Sequence, residues 1–381
     1  MPFASALSEH PVPAHAVGEV AGEVLERLGT GPDLAMLFLT PPHAGALEDA
    51  AAAVRSILEP KTLLGCAAIA VAGTGREVEE SPGVSLWAGR FGPVVPARFE
   101  TVRGGEGSVL AGWPGPNLPF EPQALVLLGD PFSFDTDALF AVVNERYPGL
   151  PVIGGMASAA RAPGANRLTC DGEILSAGAV GAFIGPGPRL TPVVSQGCRP
   201  IGSPLVVTRS ERSILQELAG EPPLERLVEQ AQTLPERDIR LINRGLHIGL
   251  VIDEHKPEFG RGDFLIRNVL GADQETGAIQ VGDEINVGTT VQFQVRDADS
   301  ADEDLRLLLA DRSADGAMLF TCNGRGKHLF GAPDHDASVM EDMLGPVPVG
   351  GFFAAGELGP VGGRNFLHGF TASVLLFEDA G

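Results

Sequence analysis

The chain has 381 residues, 44% apolar and 20% charged, which fits a folded globular protein long enough for two domains of ordinary size. Its 49 acids outnumber its 27 bases, for a formal charge of −22, and no basic cluster stands out that could neutralise phosphates. This balance excludes nucleic acid as a natural partner and would repel an anionic membrane surface.

No apolar run reaches the roughly 20 residues a spanning helix needs, so no membrane insertion is expected. The opening MPFASALSEH has no basic start followed by an apolar stretch, so no secretory signal is read there. Cys66, Cys170, Cys198 and Cys322 lie far apart with no CxxC pair, which argues against a zinc site or a disulfide framework and for a reducing, cytoplasmic setting.

Along the chain, Val17, Val20, Ala21, Val24, Leu25 and Leu28 recur at helical spacing and Gly29 follows as a stop. "LAMLFL" at Leu34–Leu39 is wholly apolar and closed by Pro41 and Pro42, as a strand buried on both faces would be. A second helix through Leu47, Ala50, Ala51, Val54 and Leu58 leads to "TLLGCAAIAVAG", read as a strand. The order then recurs. "ALVLLGDP", a helix around Leu139 and Phe140, and "LPVIGGMAS" make a second copy. "AMLFTCNG", a helix around Val339 and Met340, and "VPVGGFFA" make a third. First-strand alanine and second-strand glycine are separated by 30, 30 and 33 residues (Ala35 to Gly65, Ala124 to Gly154, Ala317 to Gly350). Each copy continues through a glycine-rich stretch to a late apolar segment. The pattern predicts three strand-helix-strand-hairpin-strand units.

Between the second and third copies the pattern changes. "RLTPVVSQGCRPIGSPLVVTRS" alternates like edge strands, and two helices are predicted next, through Ile214, Leu215 and Leu218 and through Leu224, Leu227 and Val228. "GEPP" at Gly220–Pro223 marks a domain junction, dividing the chain into 1–220 and 221–381. Leu241–Val295 reads as an antiparallel meander inserted ahead of the third copy. Ser300 with Glu303 suggests a capping box for the helix that follows.

The chemistry-bearing candidates cluster near the C-terminus. Cys322 ends a buried strand within "CNGRG", where open α/β sheets commonly bind ligands. It could be a nucleophile with His328 as base, but no partner is fixed by spacing, and contact of Asn323 and Arg325 with an anionic or polar ligand is the favoured reading. His335 in "DHD" and His255 could ligate a metal. Acids at a helix start cap it, however, which accounts for Asp334 and Asp336 without one. From Val349 to Phe370 glycine takes seven of 22 places, around Glu357, Arg364, Asn365 and His368. Glycine at that density is expected where the backbone takes positive φ or something approaches it closely. Glu357 is expected to pair with Arg364 or to touch a ligand, and His368, between Phe366 and Phe370, to be a core imidazole. No dinucleotide fingerprint, P-loop or nucleophile elbow occurs.

"SQGCRPIGSPLVVT", "LFTCNGRGKHLFG" and "VPVGGFFAAGELGPVGGRNFLHGFTASVLLF" resemble the FIST family, a paired N-terminal and C-terminal module of signal-transduction proteins. The similarity runs from about Leu34 to Phe377. The resemblance implies an intracellular sensory domain that binds a small ligand, an amino acid among the possibilities, and passes occupancy to a signalling partner. The matched positions are Cys322, Asn323, Gly324, Arg325 and Gly326, then Gly350, Gly351, Gly356, Glu357, Gly359, Gly362, Gly363, Asn365 and His368. No catalytic residue, metal or cofactor is carried over. Only "EDAG" follows Phe377, so no attached output domain is expected and the signal would pass to a separate protein.

The reading is therefore a mixed α/β protein of two modules, sheets flanked by helices around pseudo-repeated units. Its expected function is ligand binding and signalling, with Arg364 added to the ligand set. The alternatives are a hydrolase or thiol transferase using Cys322, and a structural adaptor without a ligand.

Overall fold

The computed structural model describes residues 2–104, 107–114, 118–260 and 262–379. The first repeat is β1 (Phe3–Ser8), α1 (Pro13–Leu28), β2 (Leu34–Leu39), α2 (Leu47–Leu58), β3 (Thr62–Ala67), the hairpin β4 (Ala70–Gly73) and β5 (Arg76–Glu79), and β6 (Val84–Gly89). The apolar stripe of α1 buries Val17, Val20, Ala21, Val24 and Leu28, and Gly29 ends the helix at φ +78°. The second repeat is β7 (Val94–Gly104), β8 (Gly107–Ala111), β9 (Ala124–Gly129), α3 (Thr136–Arg146), β10 (Val152–Met156), the hairpin β11 (Leu168–Cys170) and β12 (Glu173–Leu175), and β13 (Ala179–Ile184). The third opens with β14 (Arg189–Gln196) and is interrupted by an insertion.

The insertion holds β15 (Cys198–Pro200), β16 (Leu205–Glu211), β17 (Ile214–Leu218), α4 (Pro223–Ala231), α5 (Glu236–Arg244), β18 (Leu246–Val251), β19 (Phe264–Ala272), β20 (Ile279–Val281) and β21 (Thr290–Arg296). The third repeat then resumes with α6 (Ala298–Leu309), β22 (Gly316–Cys322), α7 (Gly326–Phe330), α8 (His335–Leu344), β23 (Val349–Ala354), the hairpin β24 (Glu357–Val361) and β25 (Arg364–His368), and β26 (Thr371–Glu378).

All three repeats follow one pairing rule. The first two core strands run parallel (β2–β3, β9–β10, β22–β23). The closing strand returns antiparallel beside the first (β6–β2, β13–β9, β26–β22). The hairpin does not stay at home. β4 pairs with β23 of the third repeat, β11 with β3 of the first, and β24 with β10 of the second. Each sheet is thus completed by another repeat's hairpin, in a closed cycle. The three sheets share one apolar core, in which Phe38 and Trp87 of the first repeat, Val126 and Leu128 of the second, and Phe320 and Phe352 of the third are all buried. The other face of each sheet packs under its own helices in a separate core.

Contacts group the chain into two compact units, one of residues 1–195, 305–367 and 371–381, the other of 196–304 and 368–370. In the second unit, six antiparallel strands close on themselves in the order β21–β16–β17–β20–β19–β18–β21, a barrel filled by Val207, Leu215, Ile248, Ile279 and Phe293. Leu224, Leu227, Leu241 and Ile242 of α4 and α5 pack against that core. Two expectations are corrected here. Ile214–Leu218 is strand β17, because its residues are needed to close the barrel between β16 and β20. The helix expected to start at Ser300 begins at Ala298, so Ser300 sits in its first turn and donates its hydroxyl to Asp297 at 2.7 Å.

The repeat also explains the central glycines. Gly65, Gly154 and Gly351 lie in register with Leu37, Leu127 and Leu319 of the neighbouring parallel strand. A Cβ at each would come within 2.3, 1.8 and 1.8 Å of that leucine's carbonyl oxygen. The third-copy equivalent is therefore Gly351, one residue beyond Gly350, whose own missing Cβ makes room for the Trp87 side chain. Gly351→Ala forces backbone against backbone, where no side chain can yield. We expect a loss of about 1–3 kcal/mol or more in chemical denaturation, against a smaller loss for Gly362→Ala, which has open space but φ +58°.

Candidate functional site

The chain leaves β22 at Cys322, and the next turn is held by the Arg325 N–H, which donates to the Cys322 carbonyl at 2.8 Å. Gly326 follows at φ +58°, and a Cβ there would meet the Glu79 carboxylate at 2.6 Å. That carboxylate accepts the Lys327 N–H, at 3.1 and 3.3 Å to its two oxygens. Glu79 belongs to the first repeat, so the exchanged hairpin β4–β5 forms part of the site.

Arg325 is turned inward and is 1% exposed. Its Nε and Nη2 donate to Asp336 at 2.7 and 2.8 Å, a bidentate pair. Thr321 Oγ1 donates to the same carboxylate at 2.5 Å, and His335 Nδ1 lies 3.0 Å from its other oxygen. The Phe330 ring stacks on His335 and faces the Arg325 guanidinium at 5.2 Å. Burial alone would raise Asp336 and lower Arg325. Their mutual attraction outweighs it, holding the Asp336 carboxyl well below the usual carboxylate range and Arg325 above its ordinary value. Asp336 is therefore not a helix cap, as the sequence suggested, but the counter-ion of Arg325. Asp334 does not cap either, and instead accepts the Glu77 N–H at 2.6 Å.

Two further carboxyls are buried nearby. Glu357 accepts the Thr371 N–H at 3.1 Å and its hydroxyl at 2.9 Å, both on Oε2. Glu77 accepts the Ala337 N–H at 3.1 Å. Burial pushes both up to about 8, against the lowering effect of these hydrogen bonds, and the negative charge of Asp336 adds to the rise at Glu77. Burial thus favours the neutral acid at both positions. The Cys322 thiol adjoins this group. It receives the Gly324 N–H at 3.5 Å, reaches Asn323 Oδ1 at 3.8 Å, and with Arg325 acts to lower Glu357. Among the described residues, Arg325 Nη1, Glu357 Oε1 and Glu77 Oε2 are buried side-chain atoms of this group that make no hydrogen bond, while the Cys322 thiol hydrogen-bonds the Glu357 carboxyl.

Of the sequence candidates, Cys322, Asn323, Gly324, Arg325, Gly326 and Glu357 come together. The rest have other positions. Gly350 and Gly351 sit in the packed sheet. Asn365 is buried and accepts the Val152 N–H while donating to the Leu150 carbonyl, both at 2.8 Å. Arg364 is exposed and lies over the Phe366 ring, so the expected Glu357–Arg364 pair does not form. His368 is buried and groups with the barrel unit, and His328 is exposed on α7. Sequence reasoning missed Asp336 as a partner, and also Thr321, Thr371 and Glu77. The "DHD" signal was visible but had a simpler local explanation. Glu77 carried no local signal at all.

Three α/β repeats with exchanged hairpins, a barrel inserted in the third and a polar cluster buried at a strand end define a triplicated α/β protein. The chain belongs to the FIST family. The FIST N domain profile matches residues 33–221 and the FIST C domain profile residues 224–360. FIST domains are described generally as small-ligand-binding sensory domains of signalling proteins. Uncharacterized proteins of Mycobacterium tuberculosis (strain ATCC 25618 / H37Rv) and Mycobacterium bovis (strain ATCC BAA-935 / AF2122/97) are each 44% identical to it over 380 residues. The alignments cover 98% and 97%, respectively, of both chains.

Two outcomes test this electrostatic arrangement. Asp336→Asn leaves the buried Arg325 charge without its counter-ion and should cost about 3–5 kcal/mol in urea denaturation. Glu357 is raised in the folded state, so between its unfolded pKa and about 8 the folded chain binds more protons and stability falls as pH rises. Glu357→Gln removes that share. Wild type should therefore lose stability relative to the variant from pH 5 to 8 and run parallel to it above about pH 9, and a difference of the opposite sign would refute the assignment.

Proposed function

We propose that this chain is a cytoplasmic sensor of a small polar metabolite, an α-amino acid in particular, that reports occupancy by contact with a separate signalling protein. The supporting observation is the pair of buried atoms beside Cys322 that make no hydrogen bond, Arg325 Nη1 and Glu357 Oε1. A buried polar atom without a hydrogen bond costs roughly 1–3 kcal/mol. A ligand carboxylate suits the first and an ammonium the second. Asn323 at the exposed edge and the thiol of Cys322 complete the contact set, and the backbone of Gly324 and Gly326 lets the covering turn approach closely.

Entry requires the turn at Asn323–Phe330 to lift. Occupancy is thereby coupled to the position of α7 and, through Glu79, to the exchanged hairpin, which gives a partner a surface to read. No bond chemistry is needed, and none is assigned to a residue.

The test is a thermal-shift screen of the purified chain against amino acids, organic acids and nucleotides. A ligand at a hundred times its dissociation constant stabilises the folded state by about 2.7 kcal/mol. Amino acids should raise Tm in wild type and lose the effect in Glu357→Gln, whose amide keeps the Thr371 contacts. An ammonium on Glu357 needs the ionised carboxylate, so affinity should also climb with pH up to about 8. No shift across the panel, or one that Glu357→Gln retains, refutes this reading.

One observation favours a second reading. Gly324 N–H at 3.5 Å from Cys322 Sγ, with Arg325 and Glu357 alongside, is a setting in which a thiol can act as nucleophile. Rapid alkylation by iodoacetamide at position 322, read by mass spectrometry and absent in Cys322→Ser, would support it.

A further inference from the structure

A cavity of about 500 Å³ lies elsewhere in the triplicated unit, walled by β1 and α1 of the first repeat, the β4–β5 hairpin, and the segment between α8 and β23. That volume falls within the range typical of small-molecule sites, roughly 300–1,000 Å³. Phe3, Leu7 and Pro348 supply apolar lining, and the charged residues that line it are Arg27, Arg76 and Glu23. In a chain of net charge −22 the cavity thus gathers two guanidiniums, each set against one glutamate, Glu23 for Arg27 and Glu9 for Arg76.

We propose that the cavity binds a small organic acid, its carboxylate on Arg27 and Arg76 and its apolar body against Phe3, Leu7 and Pro348. The two guanidiniums are held in place but not used up. Arg27 Nη2 pairs with Glu23 at 2.6 Å and its Nη1 reaches the Ser5 carbonyl at 3.3 Å, while Arg76 Nη2 pairs with Glu9. Each guanidinium has five N–H donors, so further donors remain. These pairs are solvent-exposed, with both arginine side chains more than half accessible. Exposed ion pairs are worth only about 0–1 kcal/mol, so an incoming carboxylate can share or displace them at little cost.

The location gives binding a consequence. Arg27 stands on α1, whereas Arg76 stands on the hairpin that pairs with β23 of the third repeat. An acid held by both arginines clamps a helix of the first repeat to the seam between the first and third. The site shares no residue with the group around Arg325, so it stands or falls separately from the sensor reading above.

Isothermal titration of the full chain with hexanoate, benzoate and adipate tests it, with hexanamide and inorganic phosphate as controls. The acids should bind at least tenfold more tightly than hexanamide or phosphate, and more weakly in high salt. Arg27→Ala/Arg76→Ala should lose at least tenfold, with circular dichroism and Tm confirming that it folds, and Arg76→Gln alone should show a partial loss. Arg27 and Arg76 line this cavity and make no contact in the group around Arg325, so loss of acid binding in the double variant separates this site from the other. Absence of binding, equal binding of acid and amide or of phosphate, or acid binding that survives the double substitution would each overturn the proposal.

Discussion

The second parallel strand of each repeat must be covered along its outer edge, and no repeat covers its own. A bare edge strand leaves a row of unpaired N–H and C=O groups that recruits other chains. Here β3, β10 and β23 are each capped by the hairpin of another repeat, and the three substitutions close into a cycle. The shared apolar core follows, because only the closed cycle brings the inner faces of all three sheets together. So does the demand for glycine at the centre of each parallel pair, where the strands run too close for a Cβ.

The same exchange builds the polar cluster. The turn after β22 would present Arg325 and Asp336 to water if it stood alone. Placing β4 on β23 brings Glu79 against that turn and Glu77 against the start of α8, where their side-chain oxygens accept the Lys327 and Ala337 N–H groups. The result is one ion pair, Arg325–Asp336, beside two carboxyls that burial shifts toward the protonated form. Such a group is costly to assemble and sensitive to anything that alters its charge. The cavity lined by Arg27 and Arg76 lies on the same seam, so it and the polar cluster both involve the β4–β5 hairpin.

Much was legible in the residues. Wholly apolar strands such as Leu34–Leu39, the helical stripe from Val17, and the recurrence of strand, helix, strand, hairpin and strand each follow from local periodicity. The inserted meander was visible in the shift to alternating polarity. The failures were also local. Ile214–Leu218 has apolar spacing compatible with a helical turn, and only closure of the barrel decides for a strand. Asp336 looks like a cap because a cap and a buried counter-ion have the same sequence signature when the partner lies eleven residues back, outside the helix that carries the acid.

The sequence by itself determined the strand and helix order within each repeat in outline, the threefold repeat, the insertion and the family, because these rest on patterns spanning a few to a few tens of residues. Tertiary structure alone decided which hairpin completes which sheet, that Asn365 braces β10 while Arg364 faces solvent, and that a glutamate 260 residues from Ala337 in sequence accepts its N–H. The physical reason is that hydrogen-bond completion of a strand edge and neutralisation of a buried charge are settled by whatever lies nearest in space, and sequence distance imposes no limit on that.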